Sequence, residues 1–299
     1  IRPHPMLATL VGEPFDRAGW VYEEKYDGYR ILAYKEGAQV TLLSRNGNDR
    51  TATFASIAGA IAKLRDVTVL LDGEVVAFDR KGVSRFQLLQ RGDVSHAFAV
   101  FDCLYRDGRD LRRENLSMRR LELEKTIGKT SKQLFASARL SENGLEAYRI
   151  ARRKGLEGLV AKHSASHYEE GRSRQWLKVK VHQEEEFVIA GFTAPQGSRQ
   201  HIGALLLGAY AGEDLHFVGK VGTGFSEQML ADLARTFRPL VRPAASFVDP
   251  PREKKLTWLE PQLVAQIAFA EWTSDRKLRQ PVFLGLRDDK DPRDCILPN

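Results

Sequence analysis

The hexapeptide Lys25-Tyr26-Asp27-Gly28-Tyr29-Arg30 sets an amine beside a tight turn and a guanidinium, and that combination can perform covalent attack on phosphorus. Lysine attacks only as the free amine, and an unperturbed pKa of about 10.4 leaves it protonated at neutral pH. Desolvation or clustered cations would favour the neutral form. Gly28 permits a backbone conformation or a close approach that a side chain would block, and Arg30 can hold phosphate oxygens in a forked grip. The same string also reads as an ordinary Asp-Gly turn between solvated charges. The rest of the chain decides between the two.

The elements that must position this turn read as α+β. Residues 37–44 have strand character after a turn, and apolar residues fall at helical spacing over 54–64. A β-rich run over 67–78 is interrupted by Asp72-Gly73-Glu74, and another over 97–105 ends at Asp107-Gly108. Helices are expected over 117–125 and 142–154, the second stopped by Gly155. Leu159–Lys162 and Trp176–Lys180 read as short alternating strands, with Trp176, Leu177 and Val179 as the buried side of the second. Composition changes after Val181. The acidic Glu184-Glu185-Glu186 leads into a strand over 187–192, then a turn-rich stretch, strands over 205–210, 215–221 and 263–272, and one helix near 226–237. Short strands around a single helix suggest a small barrel of the oligonucleotide-binding (OB) type, with a generic β-barrel as the alternative. The boundary is set between residues 183 and 184, giving domains 1–183 and 184–299.

A chain of 299 residues with 42% hydrophobic and 28% charged content has room for two cores and is not of disordered composition. No apolar run approaches the roughly 20 residues needed to cross a bilayer, and the N-terminus lacks the order of a secretory signal. Cys103 and Cys295 are too few for a disulfide framework or a cysteine-built zinc site, and the 7 histidines form no metalloprotease motif. A reducing cytoplasm is the expected setting. The net charge is +7. The cationic excess lies within residues 1–183, beyond which acids slightly outnumber bases, as suits a polyanionic partner such as nucleic acid.

Further motifs follow the hexapeptide in order: Ser44-Arg45-Asn46-Gly47, Asp72-Gly73-Glu74, Ala99-Val100-Phe101-Asp102, Glu157-Gly158-Leu159-Val160-Ala161-Lys162 and Trp176-Leu177-Lys178-Val179-Lys180. Their order and character resemble the ATP-dependent DNA ligases of the covalent nucleotidyltransferase superfamily. Residues 191–199, 219–225 and 281–287 extend the resemblance over nearly the whole chain, toward the ligase module of bacterial LigD end-joining enzymes. The resemblance implies a nucleotidyltransferase (adenylation) domain followed by a C-terminal OB-fold β-barrel domain, and the activity of a DNA ligase (ATP), EC 6.5.1.1. It implies that Lys25 takes AMP from ATP, that AMP passes to a DNA 5′-phosphate, and that a 3′-hydroxyl displaces it. Glu157 and Glu74 are then metal supports for Mg2+ or Mn2+, Glu74 also reaching the ribose; a helix-end glutamate and a turn glutamate are the plainer readings. Glu23, Arg30, Arg45, Phe101, Lys178, Lys180 and Arg287 become nucleotide-binding residues. Phe101 would stack on adenine, Arg45 and Arg30 would contact the ribose and the nick phosphate, and Arg287 would orient pyrophosphate. Lys178 and Lys180 lie two apart, hence on one strand face, as an α-phosphate pair whose charges help depress the pKa of Lys25; a solvated strand face is their alternative. Lys162 fits the end of its motif or is simply exposed, Arg279 falls in the last matching segment, and Lys290 competes with salt bridges to Asp288, Asp289 or Asp291.

The expected partner is nicked or broken double-stranded DNA, in repair by non-homologous end joining, with a bacterial cytoplasmic, nucleoid-associated location. Polymerase and phosphoesterase modules or end-binding repair proteins are further expected partners of a monomeric enzyme. Only about two dozen residues precede Lys25, so the chain is expected to be either a module of a larger protein or a minimal ligase, without the N-terminal DNA-binding domain of large ligases. An RNA ligase, a GTP-using capping enzyme and a non-catalytic nucleic-acid-binding module are the competing functions.

Overall fold

The computed structural model describes residues 2–89, 94–128, 131–181, 183–195, 201–253 and 255–298. The chain divides into two units, Ile1–His182 and Gln183–Asn299. The first contains β1 (Met6–Leu10), β2 (Trp20–Lys25), β3 (Tyr29–Glu36), β4 (Gln39–Ser44), α1 (Ala55–Ala62), β5 (Thr68–Val76), α2 (Phe86–Leu89), β6 (Ala97–Arg106), β7 (Arg109–Asp110) and α3 (Leu116–Ile127). These are followed by β8 (Leu134–Ala136), β9 (Arg139–Ser141), α4 (Gly144–Lys154), β10 (Gly158–His163) and β11 (Gly171–Lys180).

Two sheets result, ordered β1-β11-β10-β2-β9 and β4-β3-β5-β6-β7, the second with β8 against β6. Alternation along β3 shows how they are layered. Ile31 and Ala33 enter a core with Ile57 and Ile61 of α1 and Leu123 of α3. Leu32 faces the other way, into a cluster with Leu70, Phe101 and Leu104 of its own sheet and Met6 and Trp176 of the other. The two sheets therefore pack face to face, and α1 and α3 cover the outside of the second. On the outside of the first, Ala147 of α4 packs with Tyr22, Leu159, Ala161 and Val179. Helix α4 begins where the Asn143 side chain accepts from the Glu146 amide, and ends at Gly155 with φ 69°, the left-handed stop expected of a helix C-terminus.

Two expectations change here. The run through Asp72-Gly73-Glu74 does not end a strand: β5 is one central strand, laddered regularly to β3, while its ladder to β6 shifts register between Asp72 and Gly73. Strand β11 is also longer than its Trp-Leu-Lys-Val-Lys motif, since its first half pairs in parallel with β1.

The second unit is built of β12 (Glu184–Thr193), β13 (Leu205–Ala211), β14 (Asp214–Val221), α5 (Glu227–Phe237), β15 (Val241–Arg242), β16 (Leu256–Ala268), β17 (Glu271–Trp272), β18 (Leu278–Arg279) and β19 (Val282–Leu286). Its sheet runs β14-β13-β12-β16-β15, with β19 also on β16. Leu230, Leu233 and Phe237 of α5 join a core with Phe187, Leu205, Leu207 and Ile267. This is the strand-rich, single-helix make-up of an OB domain, with an open strand path among the described residues rather than a closed barrel. Glu184–Glu186 do not lead into β12 but belong to it, opposite Ala268, Ile267 and Gln266. The strand expected at 263–272 starts earlier and stops at Ala268; Glu271 and Trp272 pair with β18 instead. Gln196–Arg199 of the motif over 191–199 lie outside the described residues.

Candidate active site

Register places the candidate residues in rows. Across β2, β10 and β11 the rungs are Lys25, Gly158, Lys180; then Glu23, Val160, Lys178; then Val21, Lys162, Trp176. Because side chains alternate along a strand, these three rungs present one face. Trp176 thus shares the face of Lys178 and Lys180, not that of Leu177 and Val179 as the sequence reading had it. Its even spacing from both lysines was the signal.

Lys25 ends β2, and its turn is pinned from below. The Asp27 amide donates to Ser84 Oγ at 3.0 Å, and Asp27 Oδ2 accepts from the Phe86 amide at 2.9 Å. Gly28 is required by close approach: a Cβ there would lie 2.2 Å from the Val75 carbonyl oxygen and 3.0 Å from Glu74 Cγ. The turn consequently sits directly against Glu74. Gly158 is constrained in the same way, since a Cβ would lie 2.1 Å from the Val179 oxygen. No side chain separates Lys25 from Lys180 at that rung.

The Lys25 Nζ donates to Glu157 Oε1 at 2.5 Å, while Glu157 Oε2 is buried and has no hydrogen-bond partner. Burial pulls the amine's pKa down, but the charge and hydrogen bond of Glu157, with Asp27 and Glu74 behind, outweigh it and leave the pKa raised. This corrects the expectation that Lys178 and Lys180 lower it. The nearest charges are carboxylates, so the resting amine is held as an ammonium. On the opposite face of β2, burial raises the Glu24 carboxyl to about 7 against the opposing pull of Lys154.

Next to the lysine lies a box of rings and charges. Lys162 is buried, not exposed; its ammonium donates to Glu23 Oε2 at 2.9 Å and sits 4.4 Å from the ring centroids of both Phe101 and Trp176. Burial lowers its pKa, partly offset by Glu23. Glu23 Oε1 is buried without a hydrogen bond, though Arg120 Nη1 stands 3.4 Å away. Phe101 meets Trp176 edge-on, and the Arg30 guanidinium lies 4.5 Å from its centroid. The fork expected to grip phosphate is already engaged: Arg30 Nε and Nη2 donate to Asp72 Oδ1 and Oδ2 at 2.5 and 2.7 Å, and Nη2 also donates to the Met6 carbonyl. Glu74 faces Arg30 directly across the ladder from β3 to β5. Arg45 stands in the turn after β4 and is joined to this group by none of these bonds.

In the second unit, Arg287 is buried and differently placed from the exposed cation that contact with pyrophosphate requires. It donates to both oxygens of Asp289 at 2.9 Å and to Gln266 Oε1 at 2.8 Å. Lys290 pairs with Glu186 at 3.3 Å and its charge also helps lower the Asp289 carboxyl, and Arg279 pairs with Glu271 across the β17–β18 hairpin. Tyr168 and Asp72 carried no assigned role in the sequence; their link spans 96 residues, beyond the reach of any local pattern.

Residues 5–180 match the family described as ATP dependent DNA ligase domain, and residues 198–290 the ATP dependent DNA ligase C terminal region. The multifunctional non-homologous end joining protein LigD of Pseudomonas aeruginosa is 40% identical over 304 residues, covering 97% of this chain and 36% of that protein. LigD of Mycolicibacterium smegmatis is 38% identical over 300 residues, covering 98% and 39%. The chain therefore spans less than half the length of these relatives. A solved structure of mycobacterial DNA ligase D complexed with ATP and MES matches with a TM-score of 0.74 and 36% identity, covering 99% of this chain and 98% of that one. The ligase domain of LigD from M. tuberculosis matches with a TM-score of 0.56 and 38% identity, covering 98% of each chain.

Proposed function

Since the chain belongs to the ATP-dependent DNA ligase family, we propose that Lys25 is its adenylated nucleophile and that it seals nicks or breaks in double-stranded DNA within non-homologous end joining. Residues 1–183 serve as the adenylation domain and residues 184–299 as the OB domain. The enzyme works as a monomer in the bacterial cytoplasm, on nucleoid DNA, where polymerase and phosphoesterase modules or end-binding proteins supply matched ends. The observation that carries this reading is the Lys25–Glu157 pair at 2.5 Å, with Lys180 on the same rung and a glycine between them.

In the first step the Lys25 ammonium gives up one proton to water, the freed nitrogen bonds to the α-phosphorus of ATP as the bond from that phosphorus to the bridging oxygen of pyrophosphate breaks, and the nitrogen's second proton then passes to water, leaving the phosphoramidate and free pyrophosphate. Lys178 and Lys180 neutralise the α-phosphate oxygens, which is most of what a phosphoryl transfer demands of a protein. AMP then passes to a DNA 5′-phosphate, and a 3′-hydroxyl displaces it. The base goes to the ring box, where the second oxygen of Glu23 is a buried acceptor suited to the exocyclic amine of adenine. Phe101, Arg30 and Arg45 line the nucleotide and nick side, and Arg287 keeps its leaving-group role only if its pair with Asp289 opens.

Mg2+ or Mn2+ fits these residues. The unpartnered Oε2 of Glu157 is a hard oxygen donor, and Glu74 supplies a second carboxylate. Among the described residues no group of three or more His, Cys, Asp or Glu forms a metal cluster, so the ion would share its ligands with phosphates and water, as Mg2+ usually does. When bound, such an ion withdraws negative charge from the ammonium's surroundings and from the phosphate. Glu157 and Glu74 would hold it.

Labelled ATP and GTP, offered separately with Mg2+ or Mn2+ and followed by nicked DNA or nicked RNA, test the assignment. ATP labelling with DNA sealing is expected. GTP labelling or RNA-only sealing would select the competing nucleotidyltransferases, and absence of any adduct would leave a binding module. Affinity for a nick should fall as salt rises, as phosphate contacts require.

A further inference from the structure

Tyr168 lies in the stretch between β10 and β11, far from Lys25 in sequence, yet its hydroxyl is the hub of a buried clamp. It donates to Asp72 Oδ2 at 2.6 Å and accepts from the Met6 amide at 2.9 Å. Asp72 is fully buried, and its two oxygens hold Nε and Nη2 of Arg30. Met6 closes the circuit, its amide bonded to Tyr168 and its carbonyl to Arg30 Nη2 at 3.1 Å. The clamp thus joins β1 of one sheet to β3 and β5 of the other. The ring of Tyr168 meets Trp176 edge-on at 6.1 Å, so the hydroxyl cannot swing without disturbing the box.

This arrangement leaves Arg30 unusually well defined. Its Nε and Nη2 are occupied, its plane lies over Phe101, and it remains 17% exposed. Among the described residues Nη1 makes no hydrogen bond. A guanidinium with two nitrogens fixed and one open is a single aimed donor, where an unclamped arginine would be a mobile fork.

We propose that Tyr168 is a positioning residue which, through Asp72, aims Arg30 Nη1 at a phosphate oxygen of the substrate. The proposal rests on the ligase reading above. That phosphate belongs either to the nucleotide or to the DNA 5′ end; the chemistry is the same and two half-reactions separate them. Removing the hydroxyl takes one of the two donors from Asp72 Oδ2, leaving that carboxylate held by Arg30 alone, and orphans the Met6 amide, so the pair gains freedom to tilt together. Misplacing a positioning group by a fraction of an ångström costs on the order of tenfold in productive binding.

The test uses Tyr168→Phe and, as a second variant of the same clamp, Asp72→Asn, each checked for unchanged thermal melting. Adenylation by labelled ATP and sealing of a pre-adenylated nick are measured separately. A rise of about tenfold in KM with kcat held within about twofold, in one arm, is expected. A rise in the ATP arm assigns the nucleotide phosphate; a rise in the nick arm assigns the DNA phosphate. Arg30→Lys, which keeps the charge but loses the fork, should match Tyr168→Phe, and the double variant should add nothing further. Unchanged KM in both arms for whichever variant melts normally overturns the proposal, as do additive effects. If both variants melt low, the comparison of Arg30→Lys with Arg30→Lys/Tyr168→Phe at a permissive temperature decides on the same criterion. Failure of the underlying reading is recognised separately, because the unaltered chain would then form no AMP adduct or Lys25→Ala would still form one.

Discussion

Lys25–Glu157 in the first unit and Arg287–Asp289 in the second are both cation–carboxylate pairs in segments that the sequence marks as chemical, and they are built to opposite ends. In the second pair each carboxylate oxygen receives a guanidinium nitrogen, and Gln266 takes another. In the first, one oxygen of Glu157 is bonded and the other is buried and unpartnered. A buried polar atom without a partner is costly, so a fold that keeps one at the head of a cationic row has a use for it. A fully satisfied buried pair holds structure together. The number of unanswered donors and acceptors, more than charge, separates a site from a brace.

The largest effect that could break this comparison is at Glu157. Glu157→Gln should slow adenylation by about 10²- to 10³-fold, the usual scale for losing one electrostatic stabiliser, and rising metal concentration should recover part of it. The opposite outcome is also physically defined. Loss of the carboxylate leaves burial opposed only by the weaker pull of Asp27 and Glu74 and so lowers the Lys25 pKa; if Glu157 were only a salt-bridge partner, adenylation would become faster.

Arg287→Ala comes next. Taking both guanidinium bonds from the buried Asp289 should cost up to about 3 to 5 kcal/mol of stability in the second unit, read as a lower melting transition. If adenylation fell while melting stayed constant, Arg287 would be a substrate contact and the contrast between the two pairs would fail.

The smallest effect concerns Glu24, which shares β2 with Lys25 but faces α4. Its carboxyl is raised from 4.5 to about 7 by burial, so between those values the folded chain holds a proton that the unfolded chain has released. Stability should therefore fall as pH rises through that window. Glu24→Gln should flatten the slope, and an unchanged pH profile of melting would contradict the assignment.

Much of the first unit's site was legible because a strand repeats every second residue. Lys178 and Lys180 had to share a face, and the strand expected from Leu159 begins one residue earlier, at Gly158, directly after Glu157. Trp176 is buried as expected, but it obeys the same rule and lies in the core between the sheets, on the face of the two lysines rather than with Leu177 and Val179. What stayed hidden depends on partners distant in sequence. The Arg30 fork looked free until Asp72 occupied it, and Tyr168 has no motif at all. Lys162 ends a recognisable hexapeptide but is buried by Phe101, Trp176 and Glu23, which come from three other strands. The raised pKa of Lys25 was missed for a different reason: the lysines of the pocket were weighed, whereas Glu157, Asp27 and Glu74, equally visible, act on the amine more strongly. In the second unit, local charge suggested an aspartate partner for Lys290, and its charge does reach Asp289, but the ion pair with Glu186, about a hundred residues away, was not visible.

The central claim is that the amine paired to Glu157 is the one that takes AMP. Incubation with ATP and Mg2+ or Mn2+, followed by proteolysis at neutral to alkaline pH and mass mapping of the acid-labile adduct, tests it directly. The account predicts one AMP per chain, on the peptide that carries Lys25, and none in Lys25→Ala. An adduct on Lys162, Lys178 or Lys180 in the unaltered chain, or its persistence in Lys25→Ala, would contradict it.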